Sequence, residues 1–360
     1  MIQKTGCARL QRTAFPKNQP ISQSKGGNYV TQKERAGQQR KLEKHMMQRE
    51  LIVKIAKMYY YDEMSQQEIA NELDISRSNV SRILKLSRDM NIVDIRINDS
   101  SVRSFEVCKR LKEKFALKEV VIAPSNTDSE VNISNIGFHA ARYFETVLKD
   151  NMNIGITWGR SIHHMISSLM PTVRTNIKVV QMMGGTNWSD AYKYGVQLIF
   201  SFAEKIGGQA KLINAPLMLG DRQLRDLLLQ EKSIREHLDV ARRVDVALLG
   251  VGTNDMSLST MVLANSISPE ESRLLWDSGI IAHICGRPIN QSGEISGNAF
   301  NDRVLGVELE DLKRIPHVIG VAGGPSKVLP ILASLRGGHI NTLITDEKTA
   351  VLVDKHSEHA

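Results

Sequence analysis

The chain has 360 residues and a formal net charge of +8, with aliphatic residues plentiful and aromatic residues sparse. At roughly 150 residues per domain, this length predicts two domains, and the composition is typical of helices with parallel strands. Cys7, Cys108 and Cys285 lie far apart without metal-ligand spacing, which argues against a disulfide framework or a zinc site. No apolar run approaches the roughly 20 residues of a membrane span, and no secretory signal opens the chain, so we expect a cytoplasmic protein without membrane association.

Residues 1–45 carry most of the positive charge. Residues 1–50 contain eleven Lys and Arg against three Glu, whereas the rest of the chain is close to neutral. The segment is rich in polar residues and Gly, so we expect it to be a disordered extension. It is either a basic arm that adds salt-dependent phosphate contacts, or a dispensable tail or an extension upstream of the true start. The high net charge alone therefore says little about a folded DNA-binding surface.

Residues 46–99 show a pattern of three short helices followed by a strand. Apolar residues recur on one face of the first helix, at Leu51, Ile52, Ile55, Ala56 and Tyr59. Ser65 and Glu68 form an S-x-x-E capping box at the start of the second helix, and Ser76 can cap a third helix that runs to about Met90. Residues 92–97 alternate like a strand that could form a wing. This order predicts a helix–turn–helix, winged-helix-like, DNA-binding domain.

The third helix separates into two faces when its residues are placed at about 100° intervals. Val80, Ile83 and Leu84 lie on the apolar face. The other face carries basic and hydroxyl groups and no acid, at Arg77, Ser78, Ser81, Arg82, Lys85 and Arg88. Such groups can bind phosphates or base edges, although the alternative is a small helical subdomain with an ordinary solvated face. The motif context favours DNA contact, which we predict for Ser65, Gln66, Arg77, Ser78, Asn79, Ser81, Arg82 and Lys85.

Residues 100–360 show repeated strand–helix units, which predict one large α/β domain with a largely parallel sheet. The predicted strands are 120–123, 153–158, 177–183, 210–214, 244–251, 317–322 and 340–345. The predicted helices include 131–148, 192–206, 224–238, 269–277 and 328–335. Ligands of open α/β sheets bind at the carboxyl ends of the strands, where Gly-rich turns occur at 157–161, 184–185, 250–255 and 323–327.

Several motifs are similar to those of a known family. Residues 47–97, above all YYYDEMSQQEIA at 59–70 and SRSNVSRIL at 76–84, resemble the N-terminal domain of the SorC family of sugar-binding transcriptional regulators, which is related to the DeoR group. The resemblance covers about residues 46–355 and continues through 155–161, 181–185, 250–253, 323–327 and 345–350. Residues 286–290 depart from it, because an aromatic pair and an Asp are expected after Arg287.

The resemblance implies a sensor domain, residues 100–360, folded like phosphosugar isomerases and glucosamine phosphate deaminases, with a sugar or sugar phosphate as effector. The Gly-rich turns are compatible with it, because glycines let the backbone approach an anion and helix-start N–H groups can bind it. The predicted ligand-binding residues are Thr157, Trp158, Gly159, Arg160, Ser161, Gln181, Gly252, Thr253, Asp255 and Lys327. Trp158 could instead fill the core, and Asp255 and Asp346 could be acid/base relics or polar turn and cap residues.

No metal site, cofactor or catalytic residue is predicted. Adjacent His163 and His164 in a probable helix face about 100° apart, which suits a structural role better than metal chelation. Deaminases with such a domain carry Gly-x-Gly-x-Asp-Gly-His, and residues 250–256 lack that His. An architectural DNA-binding protein without a ligand would leave roughly 250 residues of strand–helix units unexplained.

The predicted function is therefore a DNA-binding transcriptional regulator, with a repressor favoured, of a carbohydrate-utilisation operon. No enzymatic activity is predicted, and the alternative hypothesis is a phosphosugar isomerase or deaminase. The expected partners are operator DNA, a sugar phosphate and further copies of the chain, because one helix–turn–helix covers only a short half-site. The family resemblance implies a tetramer.

Overall fold

The computed structural model describes residues 49–90, 92–93, 102–186, 195–295 and 299–358. The chain divides into two compact units, Met1–Ile97 and Asn98–Ala360. The predicted disordered extension at residues 1–45 lies outside the described residues, and so do residues 94–97 of the predicted wing and residues 192–194 of a predicted helix. Within the described ranges, no helix combines the length and the apolar character that crossing a membrane requires.

Among the described residues of the first unit there are three helices: α1 is helical over residues 49–60, α2 covers Gln66–Glu72 and α3 covers Arg77–Asp89. The predicted capping box is confirmed, because the Glu68 backbone N–H donates to Ser65 Oγ at 3.3 Å and the Ser65 N–H donates to Glu68 Oε2 at 2.7 Å. The core of the three helices consists of Ile52, Ile55, Met58, Ile69, Ala70, Val80, Ile83 and Leu84. This core fixes which face of α3 remains open to solvent.

A seven-stranded parallel sheet forms the centre of the second unit, in the order β1-β10-β9-β5-β2-β3-β4. Its strands are β1 Glu119–Ala123, β2 Asn153–Ile156, β3 Ile177–Gln181, β4 Gly208–Lys211, β5 Val246–Gly250, β9 His317–Val321 and β10 Thr342–Asp346. A small antiparallel sheet is added by β6 Gly252–Thr253, β7 Ala282–Ile284 and β8 Arg287–Ile289. The predicted parallel sheet is confirmed, and the small second sheet was not predicted.

The helices of this unit are α4 Val102–Phe115, α5 Ser129–Val147, α6 Arg160–Ser168, α7 Val196–Ile206, α8 Arg222–Gln230, α9 Lys232–Ala241, α10 Thr260–Leu263, α11 Pro269–Asp277, α12 Leu309–Leu312, α13 Val328–Arg336 and α14 Glu347–Ser357. The prediction of one helix over 224–238 is wrong. Glu231 adopts an extended conformation, with φ −61° and ψ 127°, and separates α8 from α9. The predicted strand at 210–214 begins earlier, at Gly208.

The strand order creates a crevice in the sheet. From β2 the chain proceeds through β3 and β4 toward one edge, whereas from β5 it proceeds through β9 and β10 toward the other. β2 and β5 are neighbours, so the connections that follow them lead away in opposite directions. Ligands of open α/β sheets bind at such a switch point, outside the carboxyl ends of the strands. The strand order therefore predicts a ligand site at the loops after β2 and β5.

A glycine allows α5 and α6 to pack closely behind this crevice. A Cβ atom at Gly137 would lie 2.6 Å from the carbonyl carbon of His164 and 2.7 Å from the backbone nitrogen of Met165. Because these are backbone atoms, an alanine at this position would have to move α6. The first residues of α6 belong to the loop after β2, so this packing also positions that loop.

Gly137→Ala is expected to lower the free energy of unfolding by about 1–3 kcal/mol, the usual cost of overpacking, even though alanine favours helix. Urea denaturation measures the change. Val131→Ala, at a 45% exposed position of the same helix, serves as the control and should stay within about 0.5 kcal/mol of the unmodified chain. A Gly137→Ala variant that is as stable as the control would contradict the close approach.

Candidate DNA-binding helix and ligand cavity

The exposed face of α3 is basic. Its exposed side chains are Arg77, Ser78, Ser81, Arg82, Lys85 and Arg88, and Asn79 is partly exposed. The Arg82 guanidinium donates to Asn79 Oδ1 at 2.8 Å, and the hydroxyl oxygens of Ser76 and Ser78 lie 3.0 Å apart. Within the described part of the chain, none of these basic side chains forms an ion pair with a carboxylate, so their charges remain available to an anionic partner.

The expectation of a basic face without an acid fails at one end of α3. Asp89 is exposed and is the last residue of the helix, directly after Arg88. The acid-free stretch therefore runs from Arg77 to Arg88. At the start of α2, Ser65 is exposed and Gln66 is partly exposed. The Ser65 hydroxyl accepts the capping hydrogen bond from the Glu68 N–H and also hydrogen-bonds the Glu68 carboxylate, so the cap engages both its acceptor and its donor.

A cavity of about 500 Å³ lies at the carboxyl ends of β2, β5, β9 and β10. This volume falls in the range of small-molecule sites, about 300–1,000 Å³. The structure brings seven of the ten predicted ligand residues to its wall, namely Thr157, Trp158, Gly159, Arg160, Ser161, Gly252 and Lys327. The wall also includes residues 126–133 at the start of α5, 323–327 after β9 and 346–352 at the start of α14.

Three predicted ligand residues lie outside this cavity. Gln181 is buried, donates from Nε2 to the Met183 carbonyl at 2.8 Å and lines a different cavity. Thr253 is buried, and its hydroxyl oxygen accepts from the Asp255 backbone N–H at 3.2 Å. Asp255 in turn accepts from the Ser257 backbone and hydroxyl, at 3.0 and 2.7 Å. All three side chains bond to neighbouring loop residues instead of facing the cavity.

Two other predicted side chains line the cavity, but their polar groups form hydrogen bonds within the protein. The Thr157 hydroxyl oxygen accepts from the Gly250 N–H at 3.2 Å, which ties the end of β2 to the end of β5. The buried indole of Trp158 donates from Nε1 to the Gly184 carbonyl at 3.2 Å. The Thr157 hydroxyl also donates to the Leu248 carbonyl at 3.5 Å, so the expectation that it donates to a ligand is not supported by this geometry.

The loop after β2 leaves backbone donors at the start of α6. Gly159 has a φ of 153°, which favours glycine, and no side chain caps the helix that follows it. The uncapped N–H groups and the helix dipole both favour an anion at this end. The Ser161 hydroxyl also lies at the wall of the cavity. The loop thus offers both backbone and side-chain hydrogen-bond donors.

Positive side chains surround the same space. Arg160 forms an ion pair with Glu130, whereas Lys327 has no carboxylate partner among the described residues. Burial, and then the positive charge of Arg160, lowers the pKa of Lys327 to about 8. Lys348 is exposed at the rim. A bound phosphate would give Lys327 a negatively charged partner.

Asp346 contributes the only carboxylate among the described residues that line the cavity. It accepts hydrogen bonds from Ser125 Oγ, from the Gly324 N–H and from both the backbone and the hydroxyl of Thr349, at 2.6–3.1 Å. Burial alone would raise the pKa of Asp346, but these hydrogen bonds outweigh it and lower the pKa overall. Asp346 is thus an ionised helix cap with its oxygens occupied.

Asn132 and His283 are among the wall residues that sequence reasoning missed. The Asn132 Oδ1 atom accepts from the Asn126 N–H at 2.8 Å, and His283 lies on β7 next to Gly252 of β6. Neither belongs to a recognisable motif, and His283 enters the site through the unpredicted antiparallel sheet. Within the described ranges, no three His, Cys, Asp or Glu side chains gather as metal ligands. His164 lies instead 3.6 Å from Glu130, in the α5–α6 contact.

Known proteins match both units. Residues 99–353 match the family described as "Putative sugar-binding domain", and residues 54–89 match region 4 of Sigma-70. The sorbitol operon regulator of Klebsiella pneumoniae is 31% identical over 308 residues, which are 85% of this chain and 98% of that protein. The deoxyribonucleoside regulator of Bacillus subtilis (strain 168) is 30% identical over 302 residues, which are 84% of this chain and 96% of that protein.

Solved structures agree with these matches. The crystal structure of the full-length sorbitol operon regulator SorC from Klebsiella pneumoniae aligns with a TM-score of 0.64 at 29% identity, covering 85% of this chain and 98% of that chain. A transcriptional regulator from Streptococcus pneumoniae TIGR4 aligns with a TM-score of 0.66 at 26% identity, covering 71% of this chain and 97% of that chain.

A helix–turn–helix region and an α/β sugar-binding domain in one chain define a DNA-binding transcriptional regulator that responds to a sugar-type effector. The chain belongs to the SorC family of sugar-binding transcriptional regulators. Its relatives carry the names of regulators and not of enzymes.

Proposed function

We propose that the protein is a cytoplasmic repressor of a carbohydrate-utilisation operon and that a sugar phosphate, bound in the cavity of the second unit, releases it from operator DNA. The observation that carries the proposal is the charge of the cavity wall. Arg160, Lys327 and Lys348 face it, whereas its one described carboxylate, Asp346, is already saturated by donors. A dianionic phosphate group fits such a wall better than a neutral sugar alone.

We assign DNA recognition to residues 46–99 and effector binding to residues 100–360. On the DNA side, α3 would enter the major groove, with Arg77 and Arg82 at base edges or phosphates. On the effector side, the start of α6 and Lys327 would hold the phosphate. The effector site is narrowed to Thr157, Trp158, Gly159, Arg160, Ser161, Gly252 and Lys327, together with Asn132 and His283.

Effector binding without turnover follows from the state of the acid groups. Asp346 has its oxygens occupied as a helix cap, so it is poorly placed to accept a proton from a sugar carbon. The turn at residues 250–256 also lacks the His found in deaminases of this fold. We expect no change in any sugar phosphate incubated with the protein, as followed by NMR.

Footprinting on the DNA that flanks the protein's own gene tests the proposal directly. The probes are sorbitol 6-phosphate, 2-deoxyribose 5-phosphate, ribose 5-phosphate and fructose 6-phosphate, each beside its unphosphorylated sugar and inorganic phosphate. One sugar phosphate should remove the footprint and raise the melting temperature, while its free sugar should do neither. A footprint that resists every phosphate, together with unchanged melting temperatures, would refute the effector class.

The repressor is expected to be a homo-oligomer, and by family resemblance a tetramer. One helix–turn–helix reads a short half-site, so symmetric assembly supplies the second half-site. Light scattering coupled to size exclusion should give four times the chain mass of 40.3 kDa for the free protein, and that mass plus the mass of the duplex on operator DNA. A monomer bound to intact operator would contradict this expectation.

A further inference from the structure

His283 occupies an unusual position in the cavity wall. It lies on β7 directly opposite Gly252 of β6, and its side chain is 7% exposed. A Cβ atom at position 252 would lie 1.8 Å from His283 Nε2. Only glycine at this position leaves room for the ring, which therefore reaches across β6 to the cavity wall.

The hydrogen bonds of Asn254 determine where the imidazole carries its proton. Asn254 Nδ2 donates to the carbonyls of Ile280 and Ala282, at 3.0 and 3.2 Å, so the Oδ1 atom is the one that faces His283. That oxygen lies 2.9 Å from His283 Nδ1. An amide oxygen can only accept, and Nδ1 must therefore carry the hydrogen. The lone pair is left on Nε2, for which the described residues supply no hydrogen-bond partner.

The ring is neutral under physiological conditions. Burial, followed by the positive charge of Lys327, lowers the pKa of His283 to about 3. Protonation would give Nε2 a hydrogen, but it does not occur near neutral pH because the folded pKa lies far below that range. Nε2 is thus a hydrogen-bond acceptor near neutral pH.

A side chain that can only accept is scarce in this cavity. Arg160, Lys327 and Lys348 only donate, hydroxyls such as that of Ser161 can donate or accept, and the Asp346 oxygens are already occupied. Donors suffice for a phosphate group, which only accepts. A sugar hydroxyl is different, because it also has a proton to donate, and burying that proton without an acceptor is unfavourable.

We propose that His283 Nε2 accepts a hydrogen bond from a hydroxyl group of the effector, which makes His283 a specificity-determining residue that selects a hydroxylated phosphate ester over phosphate itself. This inference rests on the proposed effector class. Lys327 and the start of α6 bind the phosphate, and His283 recognises the carbon skeleton attached to it.

Two substitutions separate the roles of the two ring nitrogens. His283→Asn keeps an amide donor near the position of Nδ1, toward Asn254, and has no atom at the position of Nε2. His283→Gln extends to that position and can present its amide oxygen there. Calorimetry on the full chain measures the affinity for inorganic phosphate and for sorbitol 6-phosphate, 2-deoxyribose 5-phosphate, ribose 5-phosphate and fructose 6-phosphate.

The sugar phosphate that binds the unmodified protein best should bind His283→Asn about five- to 100-fold more weakly, the cost of leaving a hydroxyl unpaired. Inorganic phosphate should bind both proteins equally, and His283→Gln should restore sugar-phosphate affinity to within about threefold. Equal weakening for phosphate and sugar phosphate, unchanged binding by His283→Asn, or no rescue by His283→Gln would each overturn the role of His283.

If His283→Asn does not fold, His283→Gln provides the test of the inference. This variant should bind the sugar phosphate more tightly than inorganic phosphate, as the unmodified protein does. A loss of that preference overturns the inference. If the proposed function itself is wrong, the result differs, because no sugar phosphate binds even the unmodified protein.

Discussion

Replacing Arg77 and Arg82 together by alanine is expected to abolish specific binding to operator DNA. Both side chains are exposed on α3, opposite the buried Val80 and Leu84, so the substitutions leave the core of the first unit unchanged. A good arginine contact to a base contributes about 1–3 kcal/mol, and the loss of two such contacts weakens binding by roughly 30- to 20,000-fold. Fluorescence anisotropy with labelled operator measures the loss.

A charge-matched control separates recognition from general attraction. Lys54 and Lys57 are exposed on α1, and replacing both by alanine removes the same charge. That variant should keep specific binding, with a smaller loss that shrinks at higher salt. Both double variants should show unchanged thermal stabilisation by the effector. Undiminished operator affinity in Arg77→Ala/Arg82→Ala would remove α3 from its assigned role.

Replacing Lys327 by alanine should weaken the effector response about ten- to 150-fold, because a hydrogen bond to a charged group contributes about 1.5–3 kcal/mol. Lys327 has no carboxylate partner among the described residues, so its removal leaves no buried acid unpaired. Operator binding without effector should be nearly intact, since the two sites are linked only through the equilibrium between conformational states. Operator release titrated with sugar phosphate measures the shift.

Lys178→Ala provides the matched control, because Lys178 is an exposed lysine on β3 that does not line the cavity. Its loss should change the response by less than about threefold, as expected for a screened surface charge. A Lys327→Ala protein that responds at an unchanged effector concentration would show that the phosphate binds elsewhere.

The pH dependence of effector binding should also show the contribution of Lys327. The pKa of Lys327 is lowered to about 8 in the free protein, and a bound phosphate raises it again because it favours the charged amine. Affinity is therefore full below the free pKa and falls as pH rises through about 8, by at most tenfold per unit. Calorimetry between pH 7 and 9 should show this fall in the unmodified protein and not in Lys327→Ala. A fall of equal size in both proteins would assign it to another group.

The main elements of the fold could be predicted from the sequence because they bury long apolar runs. β5 is buried along most of its length, and its apolar run from Val246 to Leu249 lies between Asp245 and Gly250, so its pattern is clear. β7 and β8 have three residues each, which is too short for periodicity to separate a strand from a loop. The break at Glu231 was also invisible, because glutamate favours helix and only the tertiary structure ends α8 there.

The residues of the site could be predicted only where they lie in a turn that directly follows a predicted strand. The loop from Thr157 to Ser161 and the turn that ends at Lys327 follow buried strands, and both line the cavity. Gln181 and Thr253 also belong to strand ends, but side chains alternate between the two faces of a strand, and these two point away from the cavity. His283 could not be found from its neighbours in sequence, since its role depends on Gly252 and Asn254, which only the folded chain places beside it.

The pairing of β1 with β10 has a consequence for synthesis on the ribosome. β1 is an edge strand whose hydrogen-bonded partner in the described sheet is β10, and Arg110 of α4 likewise pairs with Asp354 of α14 at 2.6 Å. Domains fold as units while the chain emerges from its N-terminus. The helices of the first unit are thus complete long before the sheet of the second unit can close. A ribosome that stops before Thr342 releases a chain whose helix–turn–helix unit is complete but whose strands β1 and β9 lack their shared partner β10, so the truncated chain exposes unpaired strand edges.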